Sequence, residues 1–357
     1  MNEDTLKLFK TLTEIPAAPG FEKDIGKFVR SELEKYTNEI IQDRFGSIFG
    51  VVRGDEQGPR VMVTGHLDEV GFMVTKITDN GMIRFEPLGK WWSQVLLAQR
   101  VQIITKKGPI IGVIGSTPPH LLSEAQRVKP AEISQMFIDI GADDRQDAEN
   151  MGIQPGLQIV PVGSFEVLSN PKKILAKAWD NRYGVGLAVE LLKEVHTEQL
   201  PNILFSGAVV QEERRKAGAV ASANLIQPDI CYGLDASPAN DTTGDKSQFG
   251  QLGKGTLLRI LGKHMITHQG IKEFILDTAE SNHIPYQYFV APGTTDAEKI
   301  QLHGIGVPSA VIGVCSRYVH TSSSILHIDD YEAAKELLVK LVKTTDKTNY
   351  EHIIANG

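Results

Sequence analysis

Short apolar runs that read as buried strands recur along this chain of 357 residues, and a helical pattern follows most of them. The runs lie at residues 60–64, 175–179, 203–210, 230–234 and 309–314. Helical spacing covers residues 2–12, 21–36, 218–225, 269–281 and 331–342, and the stretch after Arg182, where Val185, Ala188, Leu192 and Val195 share one face. Such alternation predicts an α/β domain. The rhythm breaks once. From about Phe72 to Val162 the chain becomes a series of short strands, with Asp79-Asn80-Gly81 and Lys106-Lys107-Gly108 placed as hairpin loops and one short helix near residues 144–151. A β-rich insertion, a small barrel or sandwich, therefore divides the α/β domain. It begins directly after Gly65-His66-Leu67-Asp68-Glu69.

Composition narrows the function classes. With 41% hydrophobic and 23% charged residues the chain reads as a folded protein. Its formal net charge of −7, with no basic stripe, argues against nucleic acid. The acidic start lacks a signal-peptide core and no apolar run reaches spanning length, so a cytoplasmic protein with no membrane partner is expected. The two cysteines, Cys231 and Cys315, lie in apolar contexts and are expected as buried thiols.

The chemistry collects where strands stop. Thr64-Gly65-His66-Leu67-Asp68, Ala178-Trp179-Asp180-Asn181, Gln211-Glu212-Glu213, Gly233-Leu234-Asp235 and Tyr318-Val319-His320 each place an acid or histidine at the end of an apolar run. In a doubly wound sheet those ends converge on one edge, where ligands bind. Two histidines and several carboxylates without a thiolate suit Zn²⁺, Co²⁺ or Mn²⁺. A metal pair about 3.5–4 Å apart needs a bridging carboxylate, and Asp180 is placed to be one. Asp180 also precedes a helix and suits an N-cap. Glu212 and Glu213 are adjacent, so on extended backbone they face opposite sides: one toward metal, the other toward water or substrate. Two solvated glutamates opening a loop would look the same. Asp68, two residues after His66, is close enough to orient its ring. Arg259 follows Gly253-Lys254-Gly255 on a strand; its planar fork suits a substrate carboxylate, and a surface arginine is the other reading. No Gly-x-Ser-x-Gly elbow, phosphate loop or dinucleotide fingerprint is present.

Taken in order, His66-Leu67-Asp68-Glu69-Val70-Gly71-Phe72, Ala178-Trp179-Asp180-Asn181-Arg182, Gln211-Glu212-Glu213, Asp235-Ala236-Ser237-Pro238, Thr295-Asp296-Ala297 and Arg317-Tyr318-Val319-His320 resemble the dinuclear-metal glutamyl aminopeptidase family, the TET aminopeptidases that include so-called endoglucanase homologues. The resemblance implies a phosphorylase/hydrolase-like mixed sheet with helices on both faces, interrupted by an inserted small β-barrel domain. It divides the chain into a catalytic domain of residues 1–71 and 163–357 and a dimerisation domain of residues 72–162. It implies two divalent metal ions per subunit, Zn²⁺ or Co²⁺ with Mn²⁺ a further candidate. One would be held by His66, Asp180 and Asp235, the other by Asp180, Glu213 and His320. Glu212 would take a proton from the attacking water and return it to the leaving amine, with Asp68 in support.

The substrates implied are peptides with a free N-terminus, and the oligomer a dodecamer built from dimers. Members split into those preferring acidic, aliphatic or basic first residues. Cys315-Ser316-Arg317-Tyr318 and Asp235-Ala236-Ser237-Pro238 are similar to the acidic type, which makes Arg317 a second candidate substrate contact beside Arg259. A non-catalytic assembly of the same shape and a metal-dependent amidohydrolase or deacylase are the rival readings. One stretch departs from the family pattern. After Glu213 the family continues Val-Gly-Leu-Arg-Gly-Ala, and this chain has Arg214-Arg215-Lys216-Ala217-Gly218-Ala219. Three cations there are expected to hold Glu212 ionised, and Arg215 to resist the backbone freedom a glycine would give.

Overall fold

The computed structural model describes residues 1–291 and 293–357; Pro292 lies outside the described residues. The chain enters through helices Glu3–Glu14 and Lys23–Leu33 and then lays down β1 (Ile40–Gln42), β2 (Ile48–Arg53) and β3 (Arg60–His66). The insertion follows as β4 (Gly71–Ile77), β5 (Ile83–Leu88), β6 (Arg100–Thr105), β7 (Gly108–Ile114), β8 (Ile138–Asp139) and β9 (Gln158–Pro161). The sheet resumes with β10 (Glu166–Val167), β11 (Lys173–Ala176), β12 (Ile203–Val209), β13 (Ile230–Pro238), β14 (Thr256–Gly262), β15 (Met265–Ile266), β16 (Tyr286–Val290), β17 (Ser309–Arg317) and β18 (Ser324–His327).

The main path of the large mixed sheet runs β1-β2-β12-β3-β13-β17-β18-β11-β10, with β14, β15 and β16 joined beside β17. Its centre, β12-β3-β13-β17, is parallel. Those strands are apolar on both sides because both sheet faces are covered. In β3, Val61 and Val63 pack into the cluster that holds the helix Trp179–Val195, while Met62 packs into the opposite one with the helix Ala217–Ile226. The insertion closes as a six-stranded barrel, β4-β5-β8-β7-β6-β9, around its own core of Phe72, Val74, Ile83, Phe85, Ile103 and Ile138. Both cysteines are buried and free. Among the described residues no helix is long and apolar enough to cross a membrane.

Three details differ from the sequence expectation and bear on the site. The strand expected over residues 175–179 ends at Ala176, and Trp179 enters the next helical segment as a fully buried side chain. The strand expected to stop at Asp235 continues to Pro238 because β17 pairs with it through Ser316. After the helix Ile328–Thr344 the chain adds a further helix, Lys347–Ala355, whose weak periodicity gave no sequence signal.

Candidate active site

The parallel centre delivers its C-terminal ends to one edge. His66 closes β3 and is in register with Val209 of β12, two residues before Gln211. The helix Trp179–Val195 presses on that corner: a Cβ on Gly65 would lie 2.7 Å from the Gly184 carbonyl carbon and 2.8 Å from the Val185 nitrogen, so only glycine permits the approach.

Asp180 is released rather than spent on the helix. Its backbone is not helical, and its peptide bond to Asn181 is cis. Asn181 does the capping that the sequence had offered to Asp180. Its Oδ1 accepts from Gly184 N–H at 2.9 Å, and its Nδ2 donates to the Leu234 carbonyl of β13 at 2.6 Å. The two Asp180 oxygens are then divided between two rings: Oδ1 lies 3.2 Å from His66 Nε2 and Oδ2 3.2 Å from His320 Nε2. His320 Nε2 is also 3.1 Å from Glu213 Oε1. Each ring is fixed through its other nitrogen. His66 Nδ1 meets the Asp68 carbonyl at 3.1 Å, and His320 Nδ1 meets the Lys90 carbonyl at 2.8 Å. That leaves both Nε2 atoms to face the carboxylates. Lys90 belongs to the inserted segment, so the barrel side of the molecule orients a residue of the site.

Donor atoms of His66, Asp180 and Glu213 all lie within 4.8 Å of one another, a spacing that suits a shared cation. Asp235 borders the same cavity of about 560 Å³ as Asp180, Glu212, Glu213 and His320. Burial, then the charge of Asp180, push the Asp235 carboxyl up to about 6. Burial pulls the His320 ring down, but the charge of Glu213 and the bonds to Asp180 and Glu213 lift it to about 11. His66 is likewise lifted well above its usual value against its own burial, by Asp180 and Asp68. The cluster therefore demands positive charge, as a divalent-cation site does.

Asp68 holds the paired glutamates in place. It is wholly buried, and its Oδ1 and Oδ2 accept the backbone N–H groups of Glu212 at 3.0 Å and Glu213 at 2.9 Å. The preceding Gln211 is left-handed, with φ of 58°, and donates its N–H to Glu22 Oε1 at 3.0 Å. Burial and the charge of Asp68 raise the Glu22 carboxyl to about 7. Beneath them Glu69 takes the Lys177 ammonium at 2.5 Å and 2.6 Å, with Arg182 at 3.5 Å.

Glu212 behaves opposite to the sequence expectation. Its carboxyl is raised well above the usual range, because burial outweighs the favourable charges of His66 and Lys216. Arg214 and Arg215 are exposed, Arg214 on the rim of the cavity, while Lys216 is buried, its ammonium 3.0 Å from Glu212 Oε1. Of the three cations the left-handed one is Lys216, with φ of 57°, and not Arg215.

The two candidate substrate contacts separate. Arg259 is buried in the cavity wall rather than on the surface. Its Nη2 donates to Ser237 Oγ at 3.0 Å and Asp235 Oδ2 at 3.2 Å. Its Nε and Nη1 have no hydrogen-bond partner among the described residues. Arg317 is instead bound at 2.7 Å and 2.8 Å to both oxygens of Asp241 and does not border the cavity. Sequence reasoning missed Ser237, Thr294 and the Lys90 carbonyl. Of these only Ser237 carried a signal, since it sat in a segment already singled out for Asp235.

The model of the M42 glutamyl aminopeptidase family matches residues 46–337. The glutamyl aminopeptidase of Lactococcus lactis subsp. cremoris is 39% identical over 337 residues, covering 93% of this chain and 94% of its own. The crystal structure of a TET aminopeptidase from a marine sediment Thaumarchaeota archaeon superposes with a TM-score of 0.94 at 36% identity, covering 98% of this chain and all of its own. The TET1 peptidase of Pyrococcus horikoshii, described as assembling into a tetrahedron or a large octahedral shell, gives a TM-score of 0.86 at 29% identity over 95% of this chain and 99% of its own.

Proposed function

This chain belongs to the M42 glutamyl aminopeptidase family, and from that premise we propose that it removes acidic first residues from peptides with the help of two divalent metal ions. The observation that carries the reading is the meeting of His66, Asp180, Glu213 and His320 beside the buried carboxyl of Glu212. The donor set fits such ions: it is histidine and carboxylate without thiolate, with its free Nε2 atoms turned inward and an excess of negative charge. His66, Asp180 and Asp235 would hold one ion, and Asp180, Glu213 and His320 the other, with Zn²⁺, Co²⁺ and Mn²⁺ as candidates. When bound, the ions would polarise the scissile carbonyl and make water a better nucleophile at neutral pH.

The chain supplies the remainder. Glu212 accepts the proton of the attacking water and delivers it to the leaving amine, a role that suits a buried carboxyl raised above its usual range. Asp68 keeps Glu212 and Glu213 at their stations through two backbone bonds. The carboxylate wall attracts the free ammonium of the peptide and so confines cleavage to the first residue. Arg259 borders the cavity with a guanidinium short of partners among the described residues, and this supports the acidic preference. The barrel leaves Trp92, Ile111, Val113, Leu121 and Val128 exposed around its surface, which supports its use as the dimer contact of a larger shell.

The test is hydrolysis of Glu-, Asp-, Leu- and Lys-chromogenic substrates after Zn²⁺ or Co²⁺ loading, alongside an N-acetylated peptide. Cleavage of the Glu and Asp substrates with the acetylated peptide resistant is expected. Cleavage of the acetylated peptide would favour a deacylase, and no turnover on any substrate a non-catalytic assembly.

A further inference from the structure

The turn from Gln211 to Lys216 folds back on itself. The Lys216 N–H donates to the Gln211 carbonyl at 2.8 Å, and both ends of the turn are left-handed. A lysine in that conformation is uncommon, and such residues gather where geometry serves function. The fold-back sends the Lys216 side chain beneath Glu212 instead of into solvent. Its ammonium touches groups from two elements: Glu212 Oε1 at 3.0 Å, and Thr294 Oγ1 at 2.8 Å and Glu298 Oε1 at 3.9 Å from the segment around the helix Ala297–Ile300. Glu212 thus has its oxygens divided. Oε1 is taken by Lys216, while Oε2 lies 3.9 Å from His66 Nε2, on the side of the metal donors.

We propose that Lys216 is a positioning residue for the reaction. It holds one oxygen of Glu212, anchored in turn by Thr294, so that the other oxygen stands toward the site of proton transfer. The inference rests on the reading of Glu212 as the proton carrier. Arg214 and Arg215, the two neighbouring cations, are exposed; Arg214 borders the cavity, but Lys216 is the cation bonded to Glu212. Lys216 is poorly placed to bind a substrate anion, because Glu212, Asp296 and Glu298 already surround its charge.

The experiment is a double-mutant cycle on the metal-loaded enzyme with the substrate the wild type cleaves best. Lys216→Met keeps the length and the left-handed backbone but removes the charge. It is expected to lower kcat about 10- to 100-fold, up to the roughly 10²-fold that a misplacement of about 1 Å costs. KM and bound metal should stay within about threefold, and Lys216→Arg should restore part of kcat. Thr294→Val, which removes only the anchor, should give a smaller fall in the same direction and serves in the cycle if Lys216→Met does not fold. In a Glu212→Gln background either substitution should cost nothing further. Unchanged kcat in Lys216→Met, or an equal loss with Glu212 and with Gln at position 212, overturns the inference while leaving the aminopeptidase reading intact. An inactive wild type overturns both.

Discussion

Replacing Asp68 by asparagine separates the geometry of the site from its metal donors, because Asp68 is expected to hold no ion. Its two oxygens each accept one backbone N–H, from Glu212 and from Glu213. Asparagine keeps one acceptor and turns an amide donor toward the other N–H. One bond to a charged acceptor, about 1.5–3 kcal/mol, is lost, and a buried donor is left unpaired at a further cost of about 1–3 kcal/mol. A partial relief opposes this, since the charge of Asp68 raises the neighbouring carboxyls of Glu22 and Asp296. The net expectation is a metal-free protein less stable by about 2–3 kcal/mol. Its Glu212-Glu213 backbone no longer holds its position, and losing such an outer partner costs about 10- to 100-fold in metal affinity or activity. Denaturant unfolding of the metal-free protein, Zn²⁺ titration calorimetry and kcat on a Glu-substrate read the three effects. An Asp68→Asn protein that binds Zn²⁺ and turns over like wild type would refute the argument.

Arg259→Leu should lower kcat/KM for Glu-substrates far more than for Leu-substrates. Bound metal should be measured in parallel, because Arg259 also touches Asp235; an equal loss for both substrates would remove Arg259 from specificity. Gly218→Ala should destabilise the fold by about 1–3 kcal/mol in denaturant unfolding, since its Cβ would lie 2.5 Å from both the nitrogen and the oxygen of Val210 and backbone would have to move. Asp330 gives a pH signature. Burial raises its carboxyl to about 6, although the Gly253 and Gly255 N–H groups bind it. Its folded pKa exceeds the unfolded value of about 3.9, so its contribution favours the folded state fully below about pH 4 and is lost as pH rises through about 6. Tm of Asp330→Asn should lack that part of the decline between pH 4 and 6, and an unchanged profile would count against it.

The residues of the site were legible because strand ends announce themselves: an apolar run stops and an acid or histidine follows. His66 and Glu213 could be read this way, and so could the family motifs around Asp180, Asp235 and His320. What orients them could not. The Lys90 carbonyl meets His320 across 230 residues of sequence, and a backbone acceptor has no residue type to betray it. Asp180 suited a cap as well as a metal ligand, and only the bonding in the structure assigns the cap to Asn181 and frees Asp180. The run of three cations after Glu213 predicted an ionised glutamate, because sequence counts charges but not burial. Two of the three residues are exposed, one of them on the cavity rim, and desolvation decides the direction for Glu212. The fate of Arg317 turned on Asp241, which lies in a polar loop where no pairing pattern was visible.

The most direct test of the whole account is Glu212→Gln, purified and loaded with Zn²⁺ or Co²⁺ beside the wild type, with bound metal counted by elemental analysis and kcat measured on the same samples. The account predicts two ions per chain in both proteins and a fall in kcat of about 10²- to 10⁴-fold in the variant, because the donors remain and the proton carrier is gone. A Glu212→Gln enzyme that turns over like wild type, or a wild type equally active after complete removal of metal, would contradict it.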